Sequence, residues 1–303
     1  MNVLITGGAG FIGSHTTELM IQKGIPVTVF DNLSTGKLSN LKRCGDANVV
    51  EGDICDMSAL KRAIAGATHV IHLAAQVSVQ QSISNPIHSQ RTNIVGFLNV
   101  LEAARENGIN RLVYASSAAV YGTPAKLPLD DSTSASPLSP YGLEKYINDQ
   151  YATLYRTLHG ISTMGLRYFN VYGERQDPKS PYSGVISKFL DASLSGEPVS
   201  IFGDGTQSRD FIYVKDIARV NLAALCSNVV GTANVATGNS ISLNELLDVI
   251  SQVNGRYVER SYEPAKDGDI KNSSVSIDRL NQLITEPMID IYSGLSKTIE
   301  NRS

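Results

Sequence analysis

The chain has 303 residues, 42% apolar and 18% charged, enough to bury a large core as one big domain or two closely joined ones. A formal net charge of -3 and a pI near 6.0 supply no basic field, which excludes nucleic acid and an anionic membrane as partners. Cys44, Cys55 and Cys226 are odd in number and lack C-x-x-C spacing, and the five histidines lack ligand spacing, so neither a disulfide framework nor a metal is expected.

In chain order, short apolar runs at Val3–Ile5, Val27–Phe30, Val49–Val50, His69–Leu73, Arg111–Ala115 and Thr163–Tyr168 alternate with longer helical patterns. Continuous apolar strands separated by amphipathic stretches suit a parallel sheet covered on both faces, so the class is α/β, a Rossmann-like doubly wound parallel sheet. Residues 86–107 and 140–159 read as two long helices, the second opened by Ser139-Pro140 as cap and first-turn proline. Past residue 170 the rhythm breaks into Pro- and Gly-containing loops, which predicts a smaller, discontinuous C-terminal lobe. The expected division is 1–170 for the nucleotide domain, with 210–240 returning to it, and 171–209 plus 241–303 for the second lobe, ending in a helix near Leu243–Val253. A buried-strand pattern directly after Met1 leaves no room for a signal peptide, and no apolar run reaches transmembrane length, so a cytoplasmic location is expected.

Thr6-Gly7-Gly8-Ala9-Gly10-Phe11-Ile12-Gly13 follows the first strand and leads into a helix. Glycines there allow a tight turn, let backbone N–H groups approach a pyrophosphate, and let helix and strand pack closely. The second strand ends in Asp31, where an acid accepts both hydroxyls of an adenosine ribose, and no arginine precedes Lys37 to receive a 2'-phosphate. NAD is therefore expected over NADP. Asp53-Ile54 and Leu73-Ala74-Ala75-Gln76 close the third and fourth strands at the carboxyl ends, where ligands of such sheets bind, although Asp53 can equally be a turn or cap aspartate.

Tyr141-Gly-Leu-Glu-Lys145 lies about two dozen residues after Ser116-Ser117. A tyrosine keeps its proton to about pH 10 unless something favours the phenolate, and residues four apart on a helix share a face, so the Lys145 ammonium is placed to do this. Alone, such a pair is usually a surface pair; here it accompanies a nucleotide turn and points to hydride chemistry.

These segments resemble the extended short-chain dehydrogenase/reductases of the nucleotide-sugar epimerase type over essentially the whole length. The resemblance is carried by residues 6–13, Asp31-Asn32-Leu33-Ser34-Thr35-Gly36, Gly52-Asp53-Ile54, His72 to Gln76, Ser116 to Gly122, Tyr141 to Lys145, Arg167 to Gly173, and Phe202-Gly203-Asp204-Gly205 through Arg209-Asp210-Phe211. It implies NAD as cofactor, a UDP-sugar in the second lobe, and a homodimer formed by the helices near 86–107 and 140–159. It also implies catalysis by Tyr141, Lys145 and Ser117, with Ser116 the alternative to Ser117, and it adds Asn93 and Tyr168 to the cofactor set. On the sugar side it implies Asn170, Val185, Phe202, Arg209, Lys266, Asp269 and Ser273, together with Ser117 and Tyr141. An arginine fork suits two phosphate oxygens, with a salt bridge to Asp210 or Asp204 as the plain alternative for Arg209.

Related dehydratases carry an acidic pair, and decarboxylases a glutamate, just after the serine; here Ala118 and Ala119 fill that stretch, which implies a 4-epimerase. A nucleotide-sugar reductase or a non-catalytic NAD-binding regulator is the alternative. Lys266 stands where the family usually has arginine, and lysine neutralises phosphate only as a point charge. Ser273 stands where hexose-restricted epimerases carry a tyrosine, which implies room for N-acetylated sugars beside UDP-glucose and UDP-galactose.

Overall fold

The computed structural model describes residues 1–301 except 46, 125, 178–183 and 266–270. Its centre is a seven-stranded, all-parallel sheet of β1 (Val3–Thr6), β2 (Val27–Asp31), β3 (Asn48–Glu51), β4 (His69–His72), β5 (Arg111–Ser117), β6 (Ser162–Tyr168) and, much later in the chain, β10 (Gly231–Val235). The spatial order is β10-β6-β5-β4-β1-β2-β3, which reverses direction beside β1 and so opens a crevice at the strand C-termini there.

Strand alternation distributes the core. Val3 and Ile5 of β1 pack with Val29, Ile71, Val113 and Met164 on one face, against α1 (Phe11–Gln22) and α8 (Val214–Cys226). Leu4 points the other way, among Val70, Leu112 and Tyr114, with Leu60 and Ile64 of α2 (Met57–Ile64) and Phe97, Val100 and Leu101 of α5 (Gly96–Glu106). Truncating a fully buried leucine such as Leu4 to alanine costs about 2–5 kcal/mol.

The region expected as one long helix over 86–107 comprises α4 (Pro86–Gln90), a π turn at Arg91–Val95, and α5, and is preceded by a separate short helix α3 (Val79–Ser84). Asn85 breaks the first pair and Pro86 restarts the helix as its first residue. The second expected helix is α6 (Pro140–His159): Ser139 accepts from the Gly142 N–H at its start, and Gly160, at φ 71, ends it in the left-handed conformation that glycine tolerates.

The second lobe joins a three-stranded sheet of β7 (Asn170–Tyr172), β9 (Ser208–Tyr213) and β11 (Ser240–Ser242) to a parallel pair of β8 (Val199–Phe202) and β12 (Arg260–Glu263). Its core, including Tyr172, Leu190, Ile201, Tyr213, Leu247 and Leu295, is closed by α7 (Val185–Ser195), α9 (Leu243–Asn254) and α10 (Ile291–Glu300). Two details differ from the sequence reading. Within 210–240, α8 and β10 return to the large sheet, whereas β9 pairs with β7 and β11, because an apolar run states that a strand is buried and not which neighbour it meets. The last helix is α10, started by Asp290, which accepts from Ser293 N. No helix of the described residues is long and apolar enough to cross a membrane.

Candidate active site

The glycine turn is built by exclusion. Gly7 has φ +72, and a Cβ there would stand 2.6 Å from the Ala74 nitrogen, so the β1 and β4 ends approach backbone to backbone. A Cβ on Gly13 would stand 2.1 Å from the Gly7 carbonyl oxygen, so α1 packs on the turn only because Gly13 has no side chain. Gly10 caps α1 without a side-chain bond, and the first turn, beginning Phe11-Ile12-Gly13, holds no acid. Its N–H groups and positive helix end are thus presented to the crevice without competition, which fits the diphosphate of a dinucleotide.

Asp31, 7% exposed at the end of β2, accepts from Ala9 N and Leu33 N at 2.9 Å each, and Gly36 leaves its carboxylate room, since a Cβ there would lie 2.9 Å from both oxygens. Asn32 donates to Asp53 at 2.9 Å and accepts from Ser34 N. Burial pushes the Asp53 carboxyl up, but the Cys55 N–H and the Asn32 amide outweigh it and hold the group below its usual range. Thr35 continues this loop; Ile54 is buried against Gly96. These donors, acceptors and glycines fit NAD with a free ribose.

Leu73 to Gln76 leave β4 beside the turn. Gln76 exchanges both backbone groups with the Asn93 amide, at 2.8 and 2.9 Å, and Asn93 also donates to Glu144 at 2.7 Å. Asn93 therefore acts from behind, fixing the loop. Tyr168 likewise spends its hydroxyl in the core, donating to Asn221 at 2.6 Å, which donates to Thr16.

Tyr141, on the first turn of α6, neighbours Ser117 at the end of β5, whose hydroxyl accepts from Ala119 N at 3.2 Å. Lys145 lies one turn on, 2% exposed, donating to the Ala115 carbonyl at 3.0 Å with its nitrogen 5.8 Å from the Tyr141 ring centre. Burial pulls Lys145 down to about 8, against Asp149 and Glu144, which favour its charge. The expected lowering of Tyr141 by Lys145 is not found. Burial pushes the phenol above its ordinary value, the nearby Ser117 hydroxyl favours the phenolate, and Glu144 pushes it up. Ser116 does not meet Tyr141: consecutive strand residues face opposite ways, and Ser116 is buried toward Asp149.

On the sugar side, β7 and β9 bring Asn170 beside Arg209. The Asn170 amide donates to the Asp210 carbonyl at 2.8 Å, and an Arg209 N–H donates to the Ser208 carbonyl. Asp210 and Asp204, the alternative partners for Arg209, instead accept from Thr237 and Thr206. Val185 opens α7, and Phe202, 40% exposed, ends β8. Ser273 donates its N–H to Ser208 and receives the Ser240 hydroxyl on its carbonyl. Lys266 and Asp269 lie outside the described residues.

A family model described as the NAD dependent epimerase/dehydratase family matches residues 3–236. The chain belongs to this family. NAD is accordingly its cofactor, and the chain is an epimerase. The chain is 34% identical to the UDP-glucose 4-epimerase of Mycolicibacterium smegmatis, covering 99% of this chain and 98% of the relative. Among solved structures it is similar to the UDP-N-acetylglucosamine 4-epimerase of Methanobrevibacter ruminantium in complex with UDP-N-acetylmuramic acid, at TM-score 0.95 and 39% identity over 99% of this chain and 97% of that one. It is also similar to the Thermus thermophilus UDP-glucose 4-epimerase complex with NAD, at TM-score 0.90 and 36% identity over 99% and 98%.

What sequence reasoning missed lies further along α6 from Tyr141. Asp149 on α6 forms a buried ion pair with Arg167 of β6 at 3.1 Å and accepts from the Tyr114 hydroxyl, while Arg167 donates to Tyr121. The signal was present: Asp149 follows Lys145 by four residues, on the same helix face.

Proposed function

We propose that the protein is an NAD-dependent UDP-hexose 4-epimerase that interconverts UDP-glucose and UDP-galactose through a 4-keto sugar. The observation that carries the reading is the Ser117–Tyr141–Lys145 set at the sheet's carboxyl edge, followed by a 3-10 turn, Ala118–Val120, without an acid. Tyr141 takes the proton of the sugar C4 hydroxyl and later returns it; Ser117 hydrogen-bonds the same oxygen; Lys145 supplies positive charge that favours the phenolate. NAD, when bound, supplies the hydride acceptor and donor. With no acid or base beside Ser117 to eliminate water, the chemistry ends at oxidation and return.

Asn170 and Arg209 are assigned to the diphosphate. Ser273 is assigned to the rim of the sugar site, where a small side chain leaves space for a 2-acetamido group, so UDP-N-acetylglucosamine and UDP-N-acetylgalactosamine are included as substrates. Dimerisation through the α3–α6 face is supported by Ile83, Ile87, Leu154 and Leu158, which are 50–79% exposed; sedimentation at two concentrations tests it. Three thiols outside any disulfide suit the cytoplasm.

The test is incubation of purified protein with UDP-glucose and with UDP-N-acetylglucosamine, no cofactor added, and identification of the products. Conversion to the C4 epimer is expected; turnover only when NADH is supplied stoichiometrically identifies a reductase instead.

A further inference from the structure

Glu144 is 3% exposed and stands between the two residues of the Tyr141–Lys145 pair on α6. One of its oxygens, Oε2, accepts from the Ser89 hydroxyl of α4 and from the Asn93 amide of the π turn, both at 2.7 Å. Asn93 in turn clasps the backbone of Gln76, at the loop that borders the glycine turn. A carboxylate this deeply placed has a reason beyond solubility, because an uncompensated buried charge is costly.

We propose that Glu144 is a positioning residue that places one fixed negative charge behind the Tyr141–Lys145 pair and ties that pair to the Gln76 loop. The charge disfavours the phenolate of Tyr141 and favours the ammonium of Lys145, the direction recorded at both groups. It keeps the tyrosine protonated in the resting protein and Lys145 charged despite its burial. The other charged and titratable groups facing the pair are Asp149 on α6, neutralised by Arg167 of β6, and His72 of β4, which burial and Lys145 push down to about 3 so that it stays neutral. From α3, α4 and β5 the pair and Glu144 meet the Ser82 and Ser89 hydroxyls and the Ala115 carbonyl, none of which titrates.

Because Ser89 and Asn93 share a single oxygen, Glu144→Gln can retain both bonds through its amide oxygen while losing the charge. The inference rests on Tyr141 as proton carrier, and its test reads the tyrosine directly. Tyr141 is titrated by NMR of ring-labelled tyrosine in protein without added NAD, its signal identified by its loss in Tyr141→Phe. In Glu144→Gln the Tyr141 midpoint is expected to fall by roughly one pH unit, for a unit charge one helical turn away. The rising limb of the kcat pH profile should move the same way. Ser89→Ala, which removes a donor and keeps the charge, should leave the titration in place. Glu144→Met makes the same charge change should the Gln variant be insoluble. An unmoved Tyr141 midpoint in the charge-removing variant, or an equal shift in Ser89→Ala, overturns the proposal. An active Tyr141→Phe overturns instead the assignment of the proton carrier.

Discussion

The Lys145 ammonium donates to the Ala115 carbonyl at 3.0 Å, so the lysine of α6 is anchored to β5 rather than to the Tyr141 phenol. Lys145→Met would remove that bond and the charge near Tyr141. Turnover is expected to fall by about 10²–10⁴, the range for general acid–base groups, and Lys145→Arg is expected not to rescue it, since a planar guanidinium is bulkier than an ammonium and this side chain is buried. Tyr141→Phe should lose as much while retaining NAD; initial rates alongside cofactor content of the purified variants check both.

Gly13→Ala places a methyl group 2.1 Å from the Gly7 carbonyl oxygen, so either the turn or α1 must move. Overpacking of this kind costs about 1–3 kcal/mol. A lowered denaturation midpoint and lost NAD binding are expected, measured by chemical denaturation and by cofactor fluorescence; a variant that binds NAD normally would contradict the geometry.

Two buried histidines set the acid side of stability. Burial is the leading cause that pulls His15 to about 4 and His72 to about 3, whereas both take a proton near 6.5 when unfolded. The unfolded chain therefore binds more protons below pH 6.5, and stability falls as the pH drops from there toward 4 and 3. At pH 5 the loss is about 2 kcal/mol for each histidine. Equal urea midpoints at pH 7 and pH 5 would refute this, and His72→Gln should flatten the dependence.

Ser273 is tied at its N–H to Ser208 and at its carbonyl to Ser240, so its backbone is held while its side chain is small. Ser273→Tyr is expected to lower kcat/KM for UDP-N-acetylglucosamine by about 10-fold or more, with UDP-glucose little affected, as suits a filled pocket. Product assays with both substrates decide it.

Five of the six early strands were legible because strands buried on both faces read as continuous apolar runs, β3 being a largely exposed edge strand marked only by Val49-Val50, and the NAD turn because Gly7, Gly10 and Gly13 are required by backbone contacts that a sequence motif encodes. The partner of β9 was not legible: Phe211-Ile212-Tyr213 would look the same in either sheet. Nor were the protonation states. The spacing of Tyr141 and Lys145 announced a charge pair, but the desolvation that holds Tyr141 above its ordinary value depends on packing from several elements. Ser116 shows the reverse, since alternation along β5 could have excluded it.

The chain crosses between its two lobes more than once, because β10 reaches the edge of the large sheet only after β7, β8 and β9 have been laid down elsewhere. It pairs with β6 along five positions, from Gly231 opposite Met164 to Val235 opposite Tyr168. A ribosome releasing only the first 172 residues would thus deliver a sheet with a bare hydrogen-bonding edge, able to capture another strand. The nucleotide half cannot be finished before β7, α7, β8 and β9 of the sugar half have been synthesised, which couples the maturation of one binding site to that of the other.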